Sequence, residues 1–196
     1  MQFTYFEGPV GDMGDFLGEK KKCSIWKQEH EYCFSLNYAI TYKFSDAEKE
    51  GKIGCYDCLK KGEFEFWHDT EFGFLDESGL KKAPRHTKNT SHELPVEWLA
   101  DLRRTPQIVT YQEEFWLTHC NDFMIYKGTW SPPDFYINST NGDGRDLFME
   151  MTDVNLSHLW DQSLPEGQTL LQQWYPTYYV FGCRHCNKLR GYWDCD

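Results

Sequence analysis

Two C-x-x-C pairs, each preceded by glycine, constrain this chain more than any other feature: Gly54-Cys55-Tyr56-Asp57-Cys58 and Gly182-Cys183-Arg184-His185-Cys186. The spacing lets two thiolates grip one zinc ion while following amides bond the sulfurs, so each pair is half of a four-ligand site. In the second pair, Asn187 stands where such a knuckle often needs a left-handed residue, a conformation asparagine tolerates nearly as well as glycine. With strands on either side, between Thr177 and Trp193, this is the pattern of half a zinc ribbon. The partner donors are open among Cys23, Cys33, Cys120, Cys195 and His119, and the expected ligand set is Cys55, Cys58, Cys183 and Cys186 with Cys23. Trp26 stands where Cys23-Ser24-Ile25-Trp26 would carry a second thiol, and Cys33 completes that site only if a hairpin brings it round. Zinc is the cofactor these spacings imply; buried free thiols are the alternative, because cysteine is among the most buried residue types. Redox catalysis ranks lower, since neither pair stands between an apolar strand and a long helix.

A chain of 196 residues suits a single domain spanning 1–196, and with 17% aromatic residues it can bury a substantial core. The net charge of -11 repels phosphate backbones, which argues against nucleic acid as a partner. No apolar run approaches a membrane span, and the first residues lack the basic and apolar regions of a secretory signal. A cytoplasmic location without membrane contact is expected, where eight cysteines point to metal ligation or buried free thiols over a disulfide framework.

Aromatic and β-branched stretches predict strands at Gln2 to Phe6, Glu31 to Phe44, Phe64 to Phe74, Asn121 to Tyr126, Thr177 to Phe181 and Leu189 to Trp193. A helix is predicted from Pro95 to Arg104, with proline in its first turn and arginines in its last. A second is predicted from Thr110 to Cys120, where Thr110-x-x-Glu113 reads as a capping box and Phe115, Trp116 and His119 share a face. A third fits Gln168 to Trp174, and the Pro- and Gly-punctuated span 128–166 predicts long loops with short helices. The fold class is α+β, mostly antiparallel β in its N-terminal part, with a few helices and a C-terminal zinc-ribbon-like hairpin.

No nucleophile, phosphate-loop, dinucleotide or metalloprotease motif occurs. If 64–74 is one strand, His68 lies on its apolar face and is a hydrogen-bonded core residue, while Asp69 and Glu71 face solvent. Residues 121–166 hold eight carboxylates against Lys127 and Arg145, interleaved with large aromatics. That mixture suits docking a basic partner, with Asp134, Phe135, Tyr136, Asp143, Asp146, Glu150, Asp153 and Trp160 as the contact residues; a merely solvated acidic region is the alternative.

Arg104-Thr105-Pro106, the run from Tyr111 to Asp122 with Trp116-Leu117-Thr118-His119-Cys120, Lys127-Gly128, and the stretch from Phe181 to the ending Asp194-Cys195-Asp196 carry a resemblance. Over most of its length the chain resembles the CbrC-like proteins, small bacterial cysteine-rich proteins whose founding member is linked to colicin tolerance. Trp26 departs from the pattern. The resemblance implies protection against, or tolerance of, a protein toxin, and the acidic charge fits it, because nuclease toxins are typically basic. The leading expectation is an immunity-type protein that binds and neutralises a basic protein toxin, a nuclease first among them. The alternatives are a zinc-dependent or zinc-stabilised enzyme acting on a small molecule through His68, Asp69, Glu71 or His119, and a zinc-ribbon-like adaptor.

Overall fold

The computed structural model describes residues 1–82, 93–152, 160, 177–186 and 188–195. In chain order its elements are β1 (Lys21–Lys22), β2 (Glu29–His30), β3 (Cys33–Ser35), β4 (Ile53–Cys55), α1 (Tyr56–Lys60), β5 (His68–Thr70), β6 (Gly73–Asp76) and β7 (Gly79–Lys81). They continue with α2 (Val96–Arg103), β8 (Thr118–His119), β9 (Asp122–Phe123), β10 (Ile125–Trp130), α3 (Pro132–Asn138), α4 (Gly144–Met151), β11 (Thr177–Gly182) and β12 (Leu189–Asp194). The strands form small antiparallel sheets, β1-β2, β3-β4, β5-β6-β7, β8-β9 and β10-β11-β12, and the class is α+β. Among the described residues no helix is long and apolar enough to cross a membrane.

Strand β11 organises the interior. Successive side chains of a strand point to opposite faces. Tyr179 and Phe181 therefore enter the main core, which also holds Tyr5, Phe34, Phe66, Trp116, Phe123 and Tyr126. Tyr178 and Val180 enter a second cluster with Phe135, Phe148, Met151 and Trp160, roofed by α3 and α4. These short helices start where the sequence caps them. Ser131 and Asp134 form a capping box with Pro132 in the first turn of α3, and the Asp143 carboxylate accepts from the amides of Arg145 and Asp146 in α4.

The helix expected from Pro95 to Arg104 forms as α2, with Pro95 at its N-cap. The one expected from Thr110 to Cys120 does not form. Trp116, Leu117 and Thr118 are buried consecutively, which no single helix face allows. Outside partners also take the main-chain groups a helix would need. The amides of Tyr111 and Gln112 donate to Asp194, the Trp116 amide donates to the Asp69 carbonyl, and the Glu71 amide donates to the Trp116 carbonyl. Residues 64–74 are likewise not one strand. The Thr70 hydroxyl donates to the Gly73 carbonyl and accepts from the amides of Phe72 and Gly73, turning the chain into β6. Gly73 is required there: its φ is 152° and a Cβ would lie 2.6 Å from the Lys81 carbonyl oxygen.

His68 is a hydrogen-bonded core residue as expected, with Nδ1 3.0 Å from Glu114 and Nε2 3.1 Å from the Thr105 carbonyl. Asp69 and Glu71 are buried instead of solvated, each 4% exposed. Glu71 accepts two bonds from the Arg190 guanidinium at 2.7 and 2.9 Å and two from Thr118 at 2.7 Å. The helix expected at Gln168 to Trp174 and the expectation for Asn187 lie outside the described residues.

Candidate metal centres and the acidic face

Four donors converge where two hairpins meet. Strands β8 and β9 pair Thr118 with Phe123 and His119 with Asp122, leaving Cys120 and Asn121 as a two-residue loop. Both have positive φ, 51° and 58°, the mirror-image turn that suits the twist of a hairpin and normally selects Asn-Gly. Cysteine in this conformation is strained, and such strain clusters at functional sites. The second hairpin is β11-β12, whose loop is closed by the Cys183 amide donating to the Lys188 carbonyl at 2.8 Å. The donor atoms of His119, Cys120, Cys183 and Cys186 all lie within 4.8 Å of one another.

The spacing fits a tetrahedral ion. Zinc bonds of about 2.3 Å to sulfur and about 2.05 Å to nitrogen imply tetrahedron edges of about 3.8 Å between sulfurs and about 3.6 Å between sulfur and nitrogen. The Cys120 and Cys186 sulfurs are 3.7 Å apart, and His119 Nδ1 lies 3.3 and 3.4 Å from them. A hydrogen bond from Cys120 to Cys186 pushes the Cys120 thiol up to about 11, while the Lys188 amide holds Cys186 below the usual thiol range.

Asp122, fully buried at the foot of the β8-β9 hairpin, holds the two half-sites together. It accepts from the Tyr5 hydroxyl at 2.9 Å, lies 2.8 Å from His185 Nε2 and pairs with Arg184 at 3.4 Å. The two residues inside the Cys183–Cys186 loop are thus tethered to the residue that follows Cys120-Asn121. Burial, and then the Asp122 charge, push the Tyr5 phenol far above its ordinary value.

The other sulfur cluster joins Cys23, Cys55 and Cys58, all fully buried. Cys58 lies 3.6 Å from Cys23 and 3.4 Å from Cys55. Burial raises the Cys58 and Cys55 thiols. Burial also works against the Cys23 thiolate, but the amides of Trp26, Ile25 and Cys55 together outweigh it and hold that thiol low. Each cluster can hold a metal ion. The expected ligands thus divide between two centres: Cys183 and Cys186 join His119 and Cys120, while Cys23 joins Cys55 and Cys58. His119 and Cys120 stood among the open donors but were missed as ligands of the C-terminal pair, because Thr110 to Cys120 read as helix. The β3-β4 pairing sets Cys33 opposite Cys55, but its sulfur does not join those of Cys23, Cys55 and Cys58 within 4.8 Å and lies instead 3.6 and 3.4 Å from the Lys21 and His30 carbonyl oxygens.

The expected contact residues separate into three groups. Phe135 and Trp160 are 2% and 5% exposed and form the second core cluster, so as surface anchors they are a correction: the outer face of β11 needed covering. Asp143 is the N-cap of α4, and Asp134 is the third helical residue of α3, bonding back to its N-cap Ser131. Tyr136 is 46% exposed, Asp146 and Glu150 are exposed, and beside Tyr136 the sequence reading missed Ile137, 79% exposed. Asp153 lies outside the described residues.

A separate cavity of about 510 Å3 is lined by Asp15, Trp67, Asp69, Phe74, Glu113 and Glu114 among others, and burial raises the Asp15 carboxyl. No solved structure matches the chain. The model of an uncharacterised protein family, UPF0167, matches residues 1–195, and the chain belongs to that family.

Proposed function

We propose that this protein is a zinc-stabilised binding module that neutralises a basic protein toxin, a nuclease first among them, by direct contact. The observation that carries the reading is the composition of the C-terminal metal centre. Three thiolates and an imidazole fill a zinc coordination sphere, and a sphere closed by protein ligands leaves no position for water or substrate. The metal then has a structural task, tying the β8-β9 hairpin to the β11-β12 hairpin, whose outer face carries α3 and α4. The binding part is supported by charge. Residues 131–152 hold Asp134, Asp143, Asp146 and Glu150 against Arg145, next to the exposed Tyr136 and Ile137. Carboxylates steer a cationic partner and aromatic anchors hold it. The resemblance to the CbrC-like proteins points the same way.

The test is surface plasmon resonance against basic toxins encoded beside this protein, with a nuclease assay in parallel. Association should slow as salt rises, and charge reversal at Asp146 and Glu150, which leaves both helix caps intact, should slow it further. Binding no tighter than about micromolar to every such toxin would refute the reading.

A second reading, an enzyme acting on a small molecule, is favoured by the cavity that Asp69 and Glu114 line, with His68 hydrogen-bonded to Glu114 behind it. Turnover of a small molecule that is lost in Asp69→Asn while the metal content stays unchanged would establish it over the toxin reading.

A further inference from the structure

We propose that Cys23, Cys55, Cys58 and His30 form a second zinc site, with Asp57 orienting the histidine. The loop at Cys23 repeats the geometry of the loop at Cys183. The Cys23 amide donates to the Gln28 carbonyl at 2.8 Å, matching Cys183 to Lys188, and each first sulfur accepts one loop amide at 3.4 Å, from Trp26 three residues on in one loop and from His185 two residues on in the other. Lys27 closes the turn at a φ of 62°. In this copy Trp26 stands where Cys186 stands in the other, so this loop supplies one thiol where the other supplies two.

Three sulfurs remain, at 3.4 and 3.6 Å along the two sides given above, near the edge of about 3.8 Å that a tetrahedral zinc thiolate site requires. The fourth donor must come from outside the loop. One ring nitrogen of His30 lies within 4.8 Å of both the Cys55 sulfur and the Asp57 carboxylate, though not of all three sulfurs, and the ring packs 5.8 Å from Trp26. Among the described residues its Nε2 is buried with no hydrogen-bond partner. An orphaned buried nitrogen is destabilising, and ligation removes the defect. Its Nδ1 sits 3.5 Å from the Asp57 carboxylate. Ligating histidines characteristically donate their second N–H to a carboxylate, which fixes the tautomer with the other nitrogen free for the metal. Asp57 lies inside the Cys55–Cys58 pair, so one short segment supplies two ligands and the residue that orients a third. For His30 to complete the site its ring has to swing from Cys55 toward Cys23 and Cys58.

The test uses the full chain, purified without added metal. Native mass spectrometry and elemental analysis should find two zinc ions per chain, falling to one in Cys58→Ser and to one in Cys186→Ser. In His30→Ala, chelator competition should remove the second ion at least tenfold more readily, and Trp26→Cys in that background should restore its retention. Cobalt titration of the wild-type chain should show sulfur-to-metal charge-transfer absorption that breaks at two equivalents, a readout that does not depend on a variant folding. A break at one equivalent, or chelator resistance unchanged by His30→Ala, would overturn the second site. Loss of the single remaining ion in Cys186→Ser would show that the C-terminal centre still stands.

Discussion

Replacing Cys120 by asparagine should change stability in opposite directions with and without metal. Cys120 and Asn121 occupy the two positive-φ positions of the β8-β9 turn, at 51° and 58°. A side chain other than glycine, asparagine or aspartate costs about 1 kcal/mol or more there. Asparagine removes most of that cost, so in chelator Cys120→Asn should be more stable than the wild type by about 1 kcal/mol. For a chain of this size that is a rise in Tm of about 2–4 °C. With zinc the balance reverses. If losing one of three thiolates weakens binding about 1000-fold, the stabilisation by the metal falls by about 4 kcal/mol, leaving a net loss of about 3 kcal/mol. The variant should then melt about 6–12 °C below the wild type. Calorimetry of both proteins in each condition measures this, and the other sulfur cluster is treated alike in every comparison. Equal destabilisation with and without zinc would refute the assignment of Cys120 as a strained ligand.

Trp116→Ala should cost about 3–5 kcal/mol in denaturant titration, because the side chain is fully buried and its indole N–H donates to the Met124 carbonyl at 2.8 Å. Arg190→Met should cost about 3–5 kcal/mol by leaving the buried Glu71 carboxylate without its bidentate partner, and adding Glu71→Gln, which removes the charge and keeps an acceptor for Thr118, should recover part of that loss. The Asp15 carboxyl is raised by burial, so its stabilising contribution is present below its unfolded value near pH 4 and lost as pH rises through the folded value. Asp15→Asn, which tolerates the φ of 59° at this position, should therefore raise Tm at pH 7 and leave it unchanged at pH 3.

The parts of the fold that were legible in the sequence are those decided locally. The β11-β12 hairpin declared itself by aromatic alternation around a C-x-x-C loop, and α2 by its proline and terminal arginines. Residues 110–120 carry equally good local signals for a helix. There the tertiary partners won: Asp194 takes two amides and the 69–71 main chain pairs with Trp116, contacts that no local window contains. The same misreading hid the metal ligands, because a helix would have put His119 on a scaffold face, whereas the turn at Cys120 aims both donors at Cys186. Phe135 and Trp160 were read as exposed because they sit in an acidic stretch. Their burial follows from Tyr178 and Val180, which give β11 a second apolar face that α3 and α4 must cover. The Arg184 and His185 contacts to Asp122 had one visible sign, two basic residues between two cysteines.

Zinc K-edge X-ray absorption on the full-length protein, isolated without added metal, tests the central claim most directly. Each zinc should show three sulfur neighbours at about 2.3 Å and one nitrogen neighbour at about 2.05 Å. A protein isolated without zinc, or a zinc shell made only of oxygen and nitrogen, would contradict it.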